Sequence, residues 1–307
     1  MLKKGLFACA MLLCLVPACP PPLALAMGLA FGTGGANPWR GATARASRGL
    51  LKWSIVGLGF GMDLHTVLET GRTSYLYTGI GITIAMTAGL LLGRVLRVPF
   101  NTAFLIAAGT SICGGSAIAA TRGVLDASED ETAVSLTTVF VLNAIALLAF
   151  PMVGAAARLT QPQFGLWAAL AIHDTSSVVG AGMKYGPIAL IVGTTVKLVR
   201  ALWIVPLTIF TAAWLRSRAK TAWPWFIGLF VLAAWLHSVC PAGAGAFRGI
   251  AAAARCGFTL TLFLIGAGLS WEGLKRVGWR PLAQAVALWV MIAATTLVSI
   301  QRGWIGM

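Results

Sequence analysis

The sequence predicts an all-α membrane protein, on the strength of its composition, the spacing of its apolar stretches and an internal repeat. Of the 307 residues, 58% are hydrophobic and 10% are charged, and the mean hydropathy is +0.86. A soluble domain of this size does not bury so large an apolar fraction, whereas a bilayer core of about 30 Å needs about 20 apolar residues per helix. We therefore expect a single transmembrane domain over residues 1–307, with the lipid bilayer as its surroundings.

Eleven apolar stretches, separated by short charged connectors, predict 10 or 11 transmembrane helices. The number depends on 162–183, which either spans the membrane or re-enters. The first two stretches are short, and the prolines at 20–22 between them favour two short helices over a cleaved secretory signal. The eleven stretches lie at 5–17, 21–34, 53–68, 74–93, 101–121, 132–157, 162–183, 187–214, 223–240, 256–271 and 281–301.

The net charge of +15 comes from basic residues placed between the apolar stretches. They form no basic arm or aromatic-interleaved stripe, so we expect no nucleic-acid partner. With eleven crossings and the amino terminus in the cytoplasm, fifteen fall inside and six outside, which is a clear positive-inside bias. The acidic segment 126–131 falls outside. The outer six are Arg72, Arg122, Lys184, Arg248, Arg255 and Arg302, and the inner fifteen are Lys3, Lys4, Arg40, Arg45, Arg48, Lys52, Arg94, Arg97, Arg158, Arg216, Arg218, Lys220, Lys275, Arg276 and Arg280.

An internal repeat aligns Leu58–Arg72 with Ile265–Trp279 at an offset of 207 residues, with three glycines in register. The two copies lie in the third and tenth stretches. Because that separation is odd, they point in opposite directions across the membrane, as in inverted-repeat transporters. We expect repeat halves near 1–157 and 158–307. The alternative is coincidence, because glycine is common in membrane helices and the chain has 36.

No sequence motif implies a metal or a cofactor. The six cysteines contain no CxxC pair and no His-Cys cluster, which is typical of packed thiols. The glycine-rich segment 32–35 lacks the Gly-Lys-Ser/Thr of a phosphate-binding loop. We therefore expect no cofactor.

The fifth stretch has small and hydroxyl-bearing residues where lipid would favour leucine. Irregular backbone at membrane depth persists only when it is buried in protein or lines a cavity. We therefore predict a helix broken near Gly114, whose second half presents its amino end to an anion. The alternative is a small-residue packing face. The candidate substrate-binding residues here are Thr110, Ser111, Cys113, Gly114, Gly115 and Ser116.

Ionisable residues lie within the seventh and eighth stretches. A charge at that depth is costly and normally marks a pathway or a paired site. Lys197 and Arg200 are three residues apart, and so share one helical face, and we expect Asp174 to neutralise one of them. His173 can titrate near neutrality. These membrane-embedded charges sum to a net positive charge, which suits a small anion. The candidate substrate-binding residues are His173, Asp174, Ser176, Ser177, Lys197 and Arg200.

These stretches resemble a family of YeiH-type conserved inner-membrane proteins named as sulfate exporters. The resemblance covers nearly the whole chain and implies the inverted-repeat architecture of cation/proton antiporters and bile-acid symporters, with interrupted helices. Relatives carry a glutamine soon after the His-Asp pair, where Ser176 and Ser177 stand here, so the ligand differs if that glutamine binds it. The segments that carry the resemblance include "RGLLKWSIVGLGFGMDL", "LIAAGTSICGGSAIAAT", "FGLWAALAIHDTSSVVGAG", "VKLVRALWIVPL" and "GWRPL".

The function expected is secondary active export of a small anion, such as sulfate, a related sulfur oxyanion or a sulfonate, with protons as coupling ion. We expect the protein to be no enzyme and to form a homodimer. One alternative is a cation- or proton-coupled antiporter or symporter of an organic acid. Another is an intramembrane hydrolase that pairs Ser111 or Ser116 with His173.

Overall fold

The computed structural model describes residues 2–217 and 224–306, and over these residues it contains helices and no strands. The predicted all-α class is thus confirmed. Arg218 and Lys220, predicted inside, lie outside the described residues. Six helical stretches of the described chain are long and apolar enough to cross a membrane, namely Leu64–Val95, Phe100–Arg122, Glu129–Ala156, Pro187–Leu215, Pro241–Gly268 and Trp279–Gln301.

Fifteen α-helices are described, and they follow the eleven predicted stretches in order. A π-helical turn at Gly109–Cys113 separates α5 from α6, and a 3₁₀ turn at Pro241–Gly243 precedes α13. The helices are α1 Leu2–Cys14, α2 Pro21–Thr33, α3 Arg40–Gly59, α4 Leu64–Val95, α5 Phe100–Ala108, α6 Gly114–Arg122, α7 Glu129–Ala156, α8 Gln161–Ala171, α9 Thr175–Tyr185, α10 Pro187–Leu202, α11 Ile204–Leu215, α12 Trp225–Val239, α13 Ala244–Gly268, α14 Trp271–Arg276 and α15 Trp279–Gln301.

Two predicted boundaries are wrong for identifiable reasons. The predicted span 53–68 crosses a helix end, because α3 stops at Gly59 and Asp63 caps α4 by accepting a hydrogen bond from the Thr66 amide. Apolar residues continue through that break, so the hydropathy of the sequence does not reveal it. The predicted span 256–271 begins too late, because α13 extends back to Ala244 through two exposed arginines.

The helices form two bundles. In the first, which we call the scaffold bundle, α13 packs along α2 and α3, and α1 and α12 lie beside them. The second, the hairpin bundle, contains α4 to α11, α14 and α15, with α10 packed against α4, α8 and α9. Contacts between the bundles run mainly from α12 to α4 and from α2 and α13 to α9.

The predicted fifth crossing is a re-entrant hairpin, hairpin A, made of α5, the π-turn and α6. Asn101 Nδ2 near its start donates to Glu131 Oε2, 3.3 Å away in the first turn of α7, so both ends of the hairpin lie together. A Cβ built on Gly109 would lie 3.0 Å from Ile118 Cδ1. A straight helix would separate these residues by roughly 13 Å. The stretch therefore folds back, although its length and composition suit a span.

The predicted seventh crossing also re-enters, as hairpin B, made of α8, a tip at residues 172–174 and α9. The rings of Phe164 and Tyr185 stack with centroids 3.7 Å apart, and the Ile188 amide donates to Gln161 Oε1 at 3.0 Å. The ends of a straight helix over 161–185 would be roughly 36 Å apart. Of the two possibilities left open for 162–183, re-entry is thus the one observed. Because hairpin A also enters and leaves on one side, the predicted number of 10 or 11 crossings is too high.

The two hairpins enter from opposite ends of the bundle. Hairpin B opens beside Pro187, where α10 begins, because Tyr185 ends α9. The α10–α11 stretch is 29 residues long, and near its far end Trp214 contacts Phe100 of hairpin A, with ring centroids 6.1 Å apart. The mouths of the hairpins therefore lie on opposite faces, and their tips meet between them.

The folded-back hairpins change which loops share a face. Arg276 Nη1 lies 3.7 Å from Asp130 Oδ1, so the acidic segment 126–131 shares a face with Arg276, contrary to the prediction. On the revised path Arg122 joins this side, which we call the basic face, and Arg158 moves to the other, the opposite face. The exchange moves one basic residue in each direction, so the charge bias does not depend on the correction.

Both copies of the sequence repeat connect the scaffold bundle to the hairpin bundle. In the first, α3 ends and Asp63 caps α4 through the Thr66 amide. In the second, α13 ends and Ser270 Oγ accepts from the Gly273 amide at the start of α14. The two capped amides are 207 residues apart, so the repeat preserves a helix end and a cap. The repeat-half boundary at 157/158 stays a prediction.

Candidate functional site

The candidate site is the junction of the two hairpin tips. Cys113 Sγ of hairpin A lies 3.1 Å from Thr175 Oγ1 of hairpin B. A Cβ built on Gly114 would lie 3.3 Å from Asp174 Cβ. Cys113 and Asp174 have 3% and 5% of their surface exposed, so the junction is closed in this conformation. Two predicted site segments, 61 residues apart in sequence, thus meet.

The tip of hairpin A is irregular because its glycines permit it. The π-turn ends at Cys113, with φ −152° and ψ 66°, and Gly114 takes φ +39° and ψ −121°. Side chains other than hydrogen are strained at that positive φ. The predicted break near Gly114 is therefore present. Gly115 instead serves packing, because a Cβ there would lie 3.0 Å from Phe140 Cζ of α7.

The tip of hairpin B is held by Asn143 of α7. Its Oδ1 accepts from the backbone amides of His173 and Asp174, at 3.1 and 3.2 Å. Asp174 in turn caps α9, since its Oδ2 accepts from the Ser176 amide at 3.0 Å and from the Ser176 hydroxyl. Ser177 lies buried in the same first turn. Asn143 thus joins α7 to the non-helical tip of hairpin B.

The last carbonyls of α8, inside the protein, receive side-chain donors. A helix leaves its final carbonyls without backbone partners, and lipid supplies none. Lys197 Nζ donates to Ile172 O at 2.7 Å and to Ala169 O at 3.4 Å. Arg200 donates through Nη1 to the Ala169 and Leu170 carbonyls, the first at 3.2 Å. The remaining donor is the indole N–H of Trp289, which lies 3.1 Å from Ala171 O.

Arg200 also connects the two tips. Its Nε donates to the Ser111 carbonyl at 2.6 Å, in the middle of the π-turn of hairpin A. One guanidinium therefore holds carbonyls from both hairpins. Cations near helix carboxyl ends are favourable because the ends carry partial negative charge. The shared face predicted for Lys197 and Arg200 thus presents both cations to helix ends.

The predicted pairing of Asp174 with a cation is wrong. Over the described residues, no contact within 4.0 Å joins Asp174 to Lys197 or Arg200. The carboxylate lies at the amino end of α9, whereas the cations lie at the carboxyl end of α8. Both cations are at most 2% exposed, so the site keeps a net positive charge with His173 neutral.

Several buried polar groups at or beside the tips have no hydrogen-bond partner in the described part of the chain. His173 is 1% exposed, and both of its ring nitrogens are unpartnered. Its ring lies edge-on to Trp289, with centroids 6.4 Å apart, so it forms no hydrogen bond with Ser111 or Ser116. Buried polar groups are normally satisfied, so these atoms are candidates for contact with a ligand. The others are Thr110 Oγ1, Asn143 Nδ2, Thr194 Oγ1 and Thr195 Oγ1.

The remaining predicted residues have local partners. Ser111 Oγ donates to Ala108 O at 3.3 Å, and Cys113 Sγ lies 3.8 Å from Ser116 Oγ. Trp289 was not predicted as part of the site, since a single tryptophan in an apolar stretch gives no signal. The three side chains Lys197, Arg200 and Trp289 converge on one helix end, and only the fold reveals that.

Two opposed re-entrant hairpins within a helical bundle define a polytopic α-helical membrane protein. The chain belongs to the family described as conserved hypothetical protein 698, whose family model matches residues 8–285. It is 48% identical to a UPF0324 membrane protein of Geobacter sulfurreducens over 303 residues, covering 99% of this chain and 98% of the relative.

Two further relatives carry the same name. A UPF0324 membrane protein of Bdellovibrio bacteriovorus is 44% identical over 315 residues, covering 99% of this chain and 96% of the relative. One from Bacteroides thetaiotaomicron is 47% identical over 288 residues, covering 91% and 86%. No solved structure matches the chain.

Proposed function

We propose that the protein is a secondary active transporter that exports a small anion across the bacterial cytoplasmic membrane. The observation that carries this is the meeting of two hairpins from opposite faces, with Gly114 against Asp174. Non-helical backbone at membrane depth is typical of transporter binding sites, which lie between opposed structural repeats. The resemblance to proteins named as sulfate exporters supports sulfate, a related sulfur oxyanion or a sulfonate as substrate.

The charge distribution at the tips supports an anion. The amino ends of α6 and α9 start at Gly114 and Thr175, and amino ends attract negative charge. Lys197 and Arg200 add two buried positive charges. Because the N–H groups of Lys197 and Arg200 donate to carbonyls of α8, we propose that these cations make the electrostatic potential of the site positive without touching the anion. Backbone amides and the hydroxyls of Ser116 and Ser176 would then contact the anion.

Movement of one bundle against the other would open the site to each face in turn. A cavity of about 500 Å³ already lies between the bundles on the opposite face. The capped linkers at Asp63 and Ser270 join the bundles on opposite faces and would serve as hinges. The positive-inside rule supports a cytoplasmic location for the basic face and the amino terminus. We also propose that the protein forms a homodimer and catalyses no reaction.

Protons are the proposed coupling ion, carried at His173 and Asp174. His173 has two unpartnered ring nitrogens, and each can exchange a proton with a ligand or with water. Anion efflux from proteoliposomes should therefore respond to a pH gradient and lose that response in His173→Ala. Efflux that ignores the gradient in both proteins would refute proton coupling while leaving anion transport intact.

The test of transport uses purified protein in thermal-shift assays against sulfate, sulfite, thiosulfate, taurine and chloride, followed by flux of the best ligand from proteoliposomes. Asp174→Asn is the informative variant, because asparagine also caps helices while it removes the negative charge beside the site. It should bind the anion more tightly. Lys197→Ala should bind it more weakly, whereas the exposed Lys184→Ala should match the unmodified protein. Absence of binding and flux for every anion would refute the proposal.

The alternative is a cation-coupled carrier of an organic acid, in which Asp174 binds the cation. Sodium sites in transporters take several oxygen ligands, and Asp174 is the one carboxylate buried at the described tips. The same variant separates the two functions. Loss of labelled-sodium binding in Asp174→Asn would favour the alternative, and tighter anion binding would favour the proposal.

A further inference from the structure

The cavity between the two bundles has a composition that restricts its ligand. It measures about 500 Å³, within the range of small-molecule sites, and lies on the opposite face. The scaffold bundle and the α1–α2 turn form one wall, and α9 and α10 form the other. Its lining residues are Val16, Pro17, Leu58, Gly61, Met62, Met183, Gly186, Pro187, Leu190, Ile191, Ala251, Ala252, Arg255, Cys256 and Thr259.

Arg255 is the one charged residue of this lining, and most of the other side chains are apolar. The arginine is exposed, and no carboxylate of the described chain lies within 4.0 Å of it. An unpaired guanidinium attracts an anion and repels a cation. The apolar wall has no hydrogen-bonding groups to replace the water molecules around an inorganic dianion, whereas it can bury an apolar chain.

The α10 face of the cavity leads towards the hairpin tips. Leu190 and Ile191 line the cavity, and Thr194 and Thr195 follow them by one helical turn on the same side. Both threonine hydroxyls are buried and unpartnered over the described residues. The next turn carries Lys197. The side chains of α10 therefore become more polar from the cavity, at Leu190 and Ile191, to the hairpin tips, at Lys197.

We propose that this cavity binds an organic anion with a short apolar body, such as an alkylsulfonate, in preference to inorganic sulfate. The inference rests on the proposed function, because it specifies the anion that the transporter carries. Arg255 binds the anionic group, and the apolar body lies against the Leu58, Met183 and Ile191 side of the cavity. Those walls make the length of the apolar body a determinant of affinity.

The experiment measures binding of sulfate, ethanesulfonate, butanesulfonate and hexanesulfonate to the purified full-length protein. Affinity should rise by up to about fourfold for each buried methylene until the cavity is full. Arg255→Gln should weaken butanesulfonate binding at least about tenfold, as expected for loss of a charge-assisted contact. Arg248→Gln is the matched control, because Arg248 is exposed two turns earlier on α13 and does not line the cavity.

Cys256 reports on the same cavity, which it lines. In a background with the exposed Cys9 and Cys240 changed to serine, butanesulfonate should slow maleimide labelling of Cys256. Equal affinity for sulfate and butanesulfonate, or no effect of Arg255→Gln, would overturn the inference while anion transport still stood. Protection by phosphatidylglycerol micelles but by no soluble sulfonate would assign the cavity to lipid and also overturn it. Absence of binding and flux for every anion would instead refute the proposed function.

Discussion

Gly114 of hairpin A lies directly against Asp174 of hairpin B, so closely that a Cβ at Gly114 would press on the Asp174 side chain. A Cβ at Gly114 would lie 3.3 Å from Asp174 Cβ and 3.5 Å from its Cα. The backbone of Gly114 also has φ +39°, which other residues rarely adopt. The contact joins the amino ends of two re-entrant helices, so the geometry of one tip depends on the other.

Gly114→Ala should therefore destabilise the protein by about 1–3 kcal/mol, the usual cost of a strained backbone conformation, and lower the transport rate. Thermal unfolding in detergent and flux from proteoliposomes measure the two effects. Gly123→Ala is the control, because Gly123 has φ −71° and nothing within 4 Å of its Cβ position. Equal melting temperatures for the two variants would contradict the tight contact at the tips.

Lys197 should be needed for stability because it supplies hydrogen bonds to the end of α8. Lys197→Met keeps the length of the side chain but leaves the Ile172 carbonyl without its 2.7 Å donor. The expected loss is about 1–3 kcal/mol in the free energy of unfolding, as for other buried groups left unpaired. Lys184→Met, at an exposed position of α9, should change little. An unchanged melting temperature for Lys197→Met would show that the α8 carbonyls have another donor.

Asp63 and Ser270 should each stabilise one of the two linkers, because each caps a helix at the same repeat position. Asp63→Ala and Ser270→Ala should each cost about 0.5–2 kcal/mol, and the double variant should show the sum, since the caps lie on opposite faces. Thr73→Ala is the control, because its hydroxyl donates to backbone carbonyls within α4, those of Glu69 and Thr70. Unfolding free energies from a denaturant titration test additivity. A double variant no worse than either single one would mean that the linkers are coupled.

The cap at Asp63 also predicts a pH effect. Hydrogen bonds from the Thr66 backbone amide and from the side-chain hydroxyls of Ser238 and Thr66 lower the pKa of this carboxyl below its usual value. Because the folded pKa is the lower one, the stabilisation is present above the unfolded pKa and is lost as the pH falls through the folded pKa. Unfolding measured between about pH 6 and pH 3 should show a decline that is shallower in Asp63→Ala.

The order of the helical units could be predicted from sequence, because charged or proline-rich connectors bound the apolar stretches. The break at Gly114 could be predicted too, because glycines and hydroxyls interrupt a stretch that lipid would fill with leucine. The fold-back could not be predicted. Residues 100–122 are long and apolar enough to span, and the bond that reveals the hairpin joins Asn101 to Glu131, 30 residues away.

The chemistry of the site was only half visible in the sequence. Lys197, Arg200 and Asp174 could be identified, since charges at membrane depth are rare. Their hydrogen-bond partners could not be identified, because these are backbone carbonyls of α8, which every residue type has. The predicted ion pair failed for that reason. Asp174 binds Ser176 at one helix end, while Lys197 binds Ile172 at another.

The re-entrant hairpins make a prediction about accessibility that a straight crossing does not. In a background that lacks exposed cysteines, cysteines at Asn101 and Arg122 should react with a membrane-impermeant maleimide from the same face, because both lie at the mouth of hairpin A. Cysteines at Gln161 and Lys184 should react from the other face. Intact and inside-out vesicles give the two sides. Labelling of Asn101 and Arg122 from opposite sides would mean that residues 100–122 cross the membrane, and the meeting of the tips would then have to be abandoned.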